Sequence, residues 1–304
     1  MQRVAPLPQA YETRSDRPER WPDFFLVGAP RSGTTSMFTY LKQHPEVYVS
    51  VHKEPHFFGS DLSIQPHTVR DREVYLSLFV DARDDQRVGE GSVWYLRSTQ
   101  AAREISTQCI DAKIIIMLRD PIEMIRSLHS LYLRTGNEDL HELTAAINAQ
   151  DDRRAGRRIP SNAYFPEGLL YTEATCYHKG VRRYLDVFGP RQVKILIFED
   201  YAADPAAVYR ETLRFLQIDP TFVPTWDLPT ANRQMRPAVL RQLRRLGQVC
   251  PDLLTVMRGR GQQHLGPKAP LDQALRARLR ERLAGDVAEL SMLLDRDLSH
   301  WCRP

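Results

Sequence analysis

Phe24-Phe25-Leu26-Val27-Gly28-Ala29-Pro30-Arg31-Ser32-Gly33-Thr34-Thr35-Ser36-Met37 runs from four consecutive apolar residues through a turn-rich segment into a cluster of hydroxyls. Beyond it, Met37, Phe38 and Leu41 fall at helical spacing. That order predicts a buried strand, a loop and the start of a helix. Backbone N–H groups in such a loop point inward at an anion, and the helix N-terminus adds partial positive charge. The spacing Gly28-x4-Gly33 followed by Thr34-Thr35 is that of a Walker A loop, with Thr34 where the lysine would stand. The stretch therefore predicts phosphate binding and argues against an ordinary nucleoside triphosphatase.

Working outward, the same strand, polar turn, helix order recurs. Lys113-Ile114-Ile115-Ile116-Met117-Leu118 is apolar without alternation, as a buried parallel strand requires. Arg119-Asp120-Pro121 follows, with Asp120 suited to cap a helix and Pro121 to its first position, and Gly136 is placed to end that helix. Further strands are predicted at Phe24–Val27, Val47–Val49 and Val193–Phe198, and Val88–Tyr95 reads as a strand end running into a loop. Helices are predicted to about Gln43, and at Arg72–Phe79, Gln100–Gln108, Pro121–Arg134, 171–188 and 205–217. The stretch 221–237 reads as loop, and the remainder as helical with a break at 259–270. Residues 150–168, with paired arginines, prolines and glycines, read as a mobile surface excursion. Residues 1–22 read as an irregular arm, and 23–304 as one α/β domain. It is expected to be a P-loop-like doubly wound parallel sheet flanked by helices, with a helical C-terminal part. Ligands bind such sheets at the carboxyl ends of the strands. Arg31, Glu54, Glu90 and Arg119 all fall just past predicted strand ends, so they are expected to converge.

Composition narrows the class. The 304 residues are 42% hydrophobic and 26% charged, with a formal net charge of +4, and the mean hydropathy is −0.44. These values describe a globular chain. No apolar run approaches the roughly 20 residues that cross a bilayer, and residues 1–22 lack a signal-peptide pattern, so a cytoplasmic location is expected. Cys109, Cys176, Cys250 and Cys302 form no C-x-x-C pair and read as reduced thiols. Arginine clusters at 153–158, 241–245 and 276–282 are flanked by acids without interleaved aromatics, which reads as solvated helix faces rather than a nucleic-acid surface.

A phosphotransferase would need the missing lysine and an acidic residue after a strand to hold Mg²⁺, but Leu118 is followed by Arg119. A cation there suggests a second anion held apart from the first. One phosphate site at the loop and another at Arg119 and Ser127 fit a nucleotide carrying both 5′ and 3′ phosphates. Within Lys53-Glu54-Pro55-His56-Phe57-Phe58, Pro55 favours an extended Glu54, and residues two apart on an extended segment share a face. Glu54 and His56 are therefore expected to project together.

Gly-Ala-Pro-Arg-Ser-Gly-Thr-Thr-Ser at 28–36, Lys-Glu-Pro-His-Phe-Phe at 53–58 and Leu-Arg-Asp-Pro-x5-Ser at 118–127 resemble, in that order, the sulfotransferases that use 3′-phosphoadenosine 5′-phosphosulfate (PAPS). The resemblance is strongest to the glycosaminoglycan-type and bacterial branches. It extends over roughly residues 23–217, with a weaker match at Asp297-Leu298-Ser299-His300-Trp301. It implies that Arg31, Ser32, Gly33, Thr34, Thr35 and Ser36 hold the 5′-phosphosulfate, that Arg119 and Ser127 hold the 3′-phosphate, and that Glu54 is the general base. His56 is the alternative base, or orients Glu54, or binds the acceptor. The implied reaction moves a sulfuryl group from PAPS to a hydroxyl of a small molecule, glycan or carrier-bound intermediate. It leaves adenosine 3′,5′-bisphosphate and requires no metal. Where glycosaminoglycan sulfotransferases usually have a lysine, Gly91 stands here, which argues against a glycosaminoglycan acceptor. Lys53 and Glu90 are expected to contact the substrate instead. Asn232, Arg233, Arg236 and Lys268 are candidates for the cofactor side. The acceptor is expected to be selected by residues 60–70, 91–98, 134–170 and the loops after Thr221. The alternatives are a nucleotide or small-molecule kinase with a degenerate P-loop, and a nucleotide-binding module without turnover.

Overall fold

The computed structural model describes residues 19–50, 52–63, 68–226 and 271–303. Five strands form one wholly parallel sheet: β1 (Phe24–Gly28), β2 (Val47–Val49), β3 (Arg87–Gly91), β4 (Lys113–Leu118) and β5 (Val193–Ile197). Their order is β2-β3-β1-β4-β5, with Phe25 opposite Glu90 and Ile114. The chain moves outward from β1 to one edge, then crosses to β4 and β5 on the other side. The loops after β1 and β4 therefore flank the point where the winding reverses, which is where open α/β sheets bind ligands.

Both faces of the sheet are covered, which is why its central strands are apolar without alternation. Phe25, Val27, Ile114, Ile116 and Leu118 pack into one layer with Tyr75, Ile105, Tyr184 and Val287. These come from α2 (Arg72–Ser77), α3 (Ala101–Gln108), α8 (Tyr177–Phe188) and α11 (Gln273–Leu294). Phe24, Leu26, Ile115 and Met117 face the other layer, with Met37 and Leu41 from α1 (Thr34–Leu41) and Leu213 from α10 (Pro205–Leu216). A third cluster joins Ile125 and Leu128 of α4 (Pro121–Thr135) to Leu275, Leu279 and Leu283 of α11. Among the described residues no helix is long and apolar enough to cross a membrane.

Several expectations are corrected. The arm does not extend to residue 22: Trp21 packs against the first layer, its ring 5.8 Å from that of Tyr75. Phe198 does not end β5 but begins α9 (Phe198–Ala203). The single helix expected over 171–188 is two, α7 (Tyr171–Ala174) and α8, because Asp286 of α11 accepts hydrogen bonds from the N–H groups of Tyr177 (2.8 Å) and His178 (3.3 Å) and so starts a new helix. The expected surface excursion at 150–168 is structured. It follows α5 (Leu143–Asn148) and contains α6 (Gln150–Arg154) and a 3-10 turn at Pro166–Leu169.

Arg153, expected on a solvated face, is instead buried. Its guanidinium grips Glu138 through two hydrogen bonds of 2.8 and 2.6 Å, and the Tyr171 hydroxyl adds a third of 2.8 Å. The two side chains are 1% and 0% exposed. Burial pushes the Glu138 carboxyl up, but the bonds from Arg153, Leu140 and Tyr171 outweigh it and hold the group below its ordinary range. Arg153→Met leaves that carboxylate buried and alone, so thermal or urea unfolding should report a loss of about 3–5 kcal/mol. Asn232, Arg233, Arg236, Lys268 and Cys250 lie outside the described residues, as do the expected arm over 1–18 and most of the loop after Thr221. Cys109, Cys176 and Cys302 are free thiols.

Candidate active site

The loop after β1 delivers Gly33 with φ of 88°, a conformation that favours glycine. Helix α1 begins there without a side-chain cap, whereas Asp71, Asp120, Asp204 and Asp272 cap α2, α4, α10 and α11 with their carboxylates. The first-turn N–H groups of any helix lack intrahelical acceptors. At α1, as at α3 and several shorter helices, no N-cap side chain takes them; what sets α1 apart is that it follows the left-handed Gly33 of the loop after β1. The side chains of the loop divide: Ser32 is buried and its hydroxyl donates to the Pro30 carbonyl (3.3 Å), Thr34 is buried and Thr35 is exposed. The loop therefore offers backbone N–H groups together with the exposed Thr35 hydroxyl.

Arg31 sits in the left-handed region, with φ of 61°. Its Nε donates to Ser127 Oγ at 2.9 Å, and its own carbonyl accepts from Arg119 Nη1 at 3.3 Å. The Arg119 guanidinium lies 4.6 Å from the centre of the Phe198 ring, a cation–π contact that fixes its plane. The loop after β1, the start of α4 and the end of β5 thus meet at one place. Burial, and then the like charges of Arg134 and Arg119, hold the Arg31 guanidinium below its ordinary pKa. Such a crowd of cations is relieved by an anion.

Arg134 was not anticipated. It is seven residues, about two helical turns, after Ser127 and so on the same face of α4, and its Nη1 bonds to Ser130 Oγ at 3.0 Å. That spacing is visible in the sequence. Phe198 was also missed, although its place just past the end of β5 marks it by the rule that selected Arg119.

The second half of the site lies past β3. Glu54 and His56 also adopt left-handed backbone, with φ of 70° and 50°. The Glu54 N–H bonds to the Gly91 carbonyl (2.9 Å), and its carboxylate accepts from the Val93 N–H (2.9 Å), approaches His56 Nε2 (3.3 Å) and pairs with Lys53. The Glu54 side chain is 28% exposed, against 5% for His56. Six non-glycine residues among those described have positive φ. Gln217 and Asp295 of the six merely end helices, while Arg31, Glu54 and His56 mark this site, as stored strain often does. Glu54 and His56 do come together, but not by the extended backbone that Pro55 led us to expect.

The structure does not bring Glu90 to a substrate. It is paired with Phe25 in the sheet and shares the buried layer with Tyr75 and Tyr95, 0% exposed. The Tyr95 and Tyr75 hydroxyls donate to Glu90 Oε2 at 2.8 and 3.2 Å. Burial, opposed by bonds from Ser92, Tyr95 and Tyr75 and reinforced by the charge of Glu54, raises the Glu90 carboxyl to about 7. The folded chain then retains a proton that the unfolded chain releases near 4.5. Its stabilising contribution is present below that value and is lost as pH rises through about 7. The shift corresponds to about 3 kcal/mol, so wild type should lose about that much relative to Glu90→Gln between about pH 4 and about pH 9 in urea titrations.

Lys53 is paired with Glu54, and its ammonium stands 5.9 Å from the centre of the Phe38 ring. The same ring explains Gly91: a Cβ there would lie 2.9 Å from Phe38 Cδ2, so a side chain at 91 requires Phe38 to move.

A family model for the sulfotransferase domain matches residues 21–236. The chain belongs to this family. Human carbohydrate sulfotransferase 15 is 28% identical over 250 residues, covering 66% of this chain and 44% of that protein. Human heparan sulfate glucosamine 3-O-sulfotransferase 3B1 is 29% identical over 195 residues, covering 64% and 46%. The chain thus spans less than half the length of these curated relatives. A solved sulfotransferase from Alicyclobacillus acidocaldarius superposes with a TM-score of 0.73 at 30% identity, covering 93% of this chain and 100% of that one. The sulfotransferase fold follows, and the kinase alternative is not favoured.

Proposed function

We propose that this sulfotransferase moves a sulfuryl group from PAPS to a hydroxyl of a glycan or small molecule. The observation that carries the reading is Arg31, half-buried among like charges in the loop before α1 and tied to Ser127. A donor with 5′ and 3′ phosphate groups would match both ends of that arrangement: the loop N–H groups and Arg31 at one, Arg119 and Ser127 at the other. When bound, PAPS would supply a sulfuryl group whose departure leaves negative charge on an oxygen of the 5′-phosphate. Arg31 and the N–H groups of Ser32 to Ser36 are fixed before reaction, so they stabilise such charge without reorganising.

Glu54 is the general base in this reading. It is reachable, while His56 lies behind it and orients it together with the Val93 N–H. Lys53, paired with Glu54, fixes the position of the carboxylate that takes the acceptor proton. Incubation with PAPS carrying ³⁵S and a panel of sugars, phenols and alkanols tests the reading: label should pass to at least one hydroxyl compound. Label released only as inorganic sulfate across the whole panel would contradict it.

A further inference from the structure

The strained Glu54–His56 turn is held on one side by Val69, whose N–H donates to the Pro55 carbonyl at 2.8 Å, and on the other by the end of β3 and the segment that follows it. Gly91 accepts the Glu54 N–H and Val93 donates to its carboxylate, each at 2.9 Å. Ser92 Oγ accepts the His56 N–H at 3.0 Å, and the Tyr95 hydroxyl accepts the Phe58 N–H at 3.1 Å. A phenol has one proton, and Tyr95 gives it to Glu90. Its lone pairs are thereby committed to Phe58. Tyr75 gives its proton to the same carboxyl oxygen, and its ring stacks on Phe57 at 4.1 Å with 14° between planes. One buried carboxyl thus orients the two tyrosines that grip both aromatic residues following His56.

From this geometry we propose that Glu90 is a positioning residue for sulfuryl transfer, holding Glu54 and His56 in place through Tyr95 and Tyr75. The proposal rests on Glu54 being the base. A left-handed backbone at two non-glycine residues persists only where the surroundings over-determine it, and the Glu90 cluster supplies that constraint. Glu90 faces Tyr75 from α2, Tyr95 and Ser92 from the loop after β3, Glu54 from the strained turn, Tyr184 from α8 and Cys109 after α3. It changes charge near pH 7, and the ionised form is the stronger acceptor for two hydroxyls. The turn is then most firmly held on the alkaline side.

Glu90→Gln keeps the shape and removes the charge. The expected result is a fall in kcat of about 10- to 100-fold, the scale of a small misplacement of a reacting group. The KM for PAPS should stay near that of wild type, and a step near pH 7 in the kcat profile should vanish. Tyr95→Phe should reproduce the fall in kcat. Amide hydrogen exchange in the ligand-free protein gives a readout independent of turnover: the N–H groups of Glu54, His56 and Phe58 should exchange faster in Glu90→Gln, while β4 stays protected. Unchanged exchange at those three amides, or a variant with wild-type kcat and an intact step near pH 7, overturns the proposal. If wild type transfers no sulfuryl group at all, the reading of function fails while the exchange result still decides the role of Glu90.

Discussion

Glu54→Gln should lower kcat by about 10²- to 10⁴-fold, the usual contribution of a general base, and leave the affinity for adenosine 3′,5′-bisphosphate at its wild-type value. Glutamine fills the same space and still accepts the Val93 N–H with its amide oxygen, so the turn keeps its main anchor. The change therefore isolates proton transfer. The loss should appear in kcat with the KM for PAPS unaltered, because the hydrogen bonds of the 54–58 turn run to the end of β3, the loop after it, Val69 and Arg70, and not to the phosphate-binding loop. Steady-state kinetics with the best acceptor, alongside calorimetry with adenosine 3′,5′-bisphosphate, separates the two quantities. Turnover undiminished in the variant would move the base to His56.

Arg119→Ala should have the opposite signature. Hydrogen bonds to charged groups contribute about 1.5–3 kcal/mol each, so losing this guanidinium should weaken binding of adenosine 3′,5′-bisphosphate by about 10- to 100-fold. Adenosine 5′-phosphate, which lacks the 3′ group, should bind wild type and variant alike. The fold should survive, because among the described residues Arg119 is fixed by the Arg31 carbonyl and the Phe198 ring, neither of which belongs to the core. An equal loss for both nucleotides would mean that Arg119 serves the 5′ end or the loop itself.

The parts of this molecule that were legible in the sequence are those written by local rules. Two apolar runs flanked by turn residues gave β1 and β4. Asp120 and Pro121 at one end and Gly136 at the other bounded α4, and each acts as its type predicts: Asp120 accepts from Ile122 and Glu123, and Gly136 is left-handed. Because parallel strands present their carboxyl ends together, Arg31 and Arg119 could be placed side by side before any coordinates. What stayed hidden depends on partners distant in sequence. Arg153 reads as a surface residue until Glu138, fifteen positions away, buries it. The break before Tyr177 depends on Asp286, more than a hundred residues later.

Glu90 was misplaced for a different reason. It is not past the end of β3 but its penultimate residue, and side chains alternate between the faces of a strand. One position of register turns a residue aimed at substrate into one buried beside Phe25. Arg134 is legible from the helical repeat alone, which carries the face of Ser127 two turns on to it.

The central claim is that the loop and Arg119 form a site for a nucleotide with both 5′ and 3′ phosphates. Calorimetric titration of the protein with adenosine 3′,5′-bisphosphate, and separately with ATP and Mg²⁺, tests it most directly. Saturable binding of adenosine 3′,5′-bisphosphate, with ATP and Mg²⁺ bound far more weakly, is the predicted result. A preference for ATP and Mg²⁺ would contradict it.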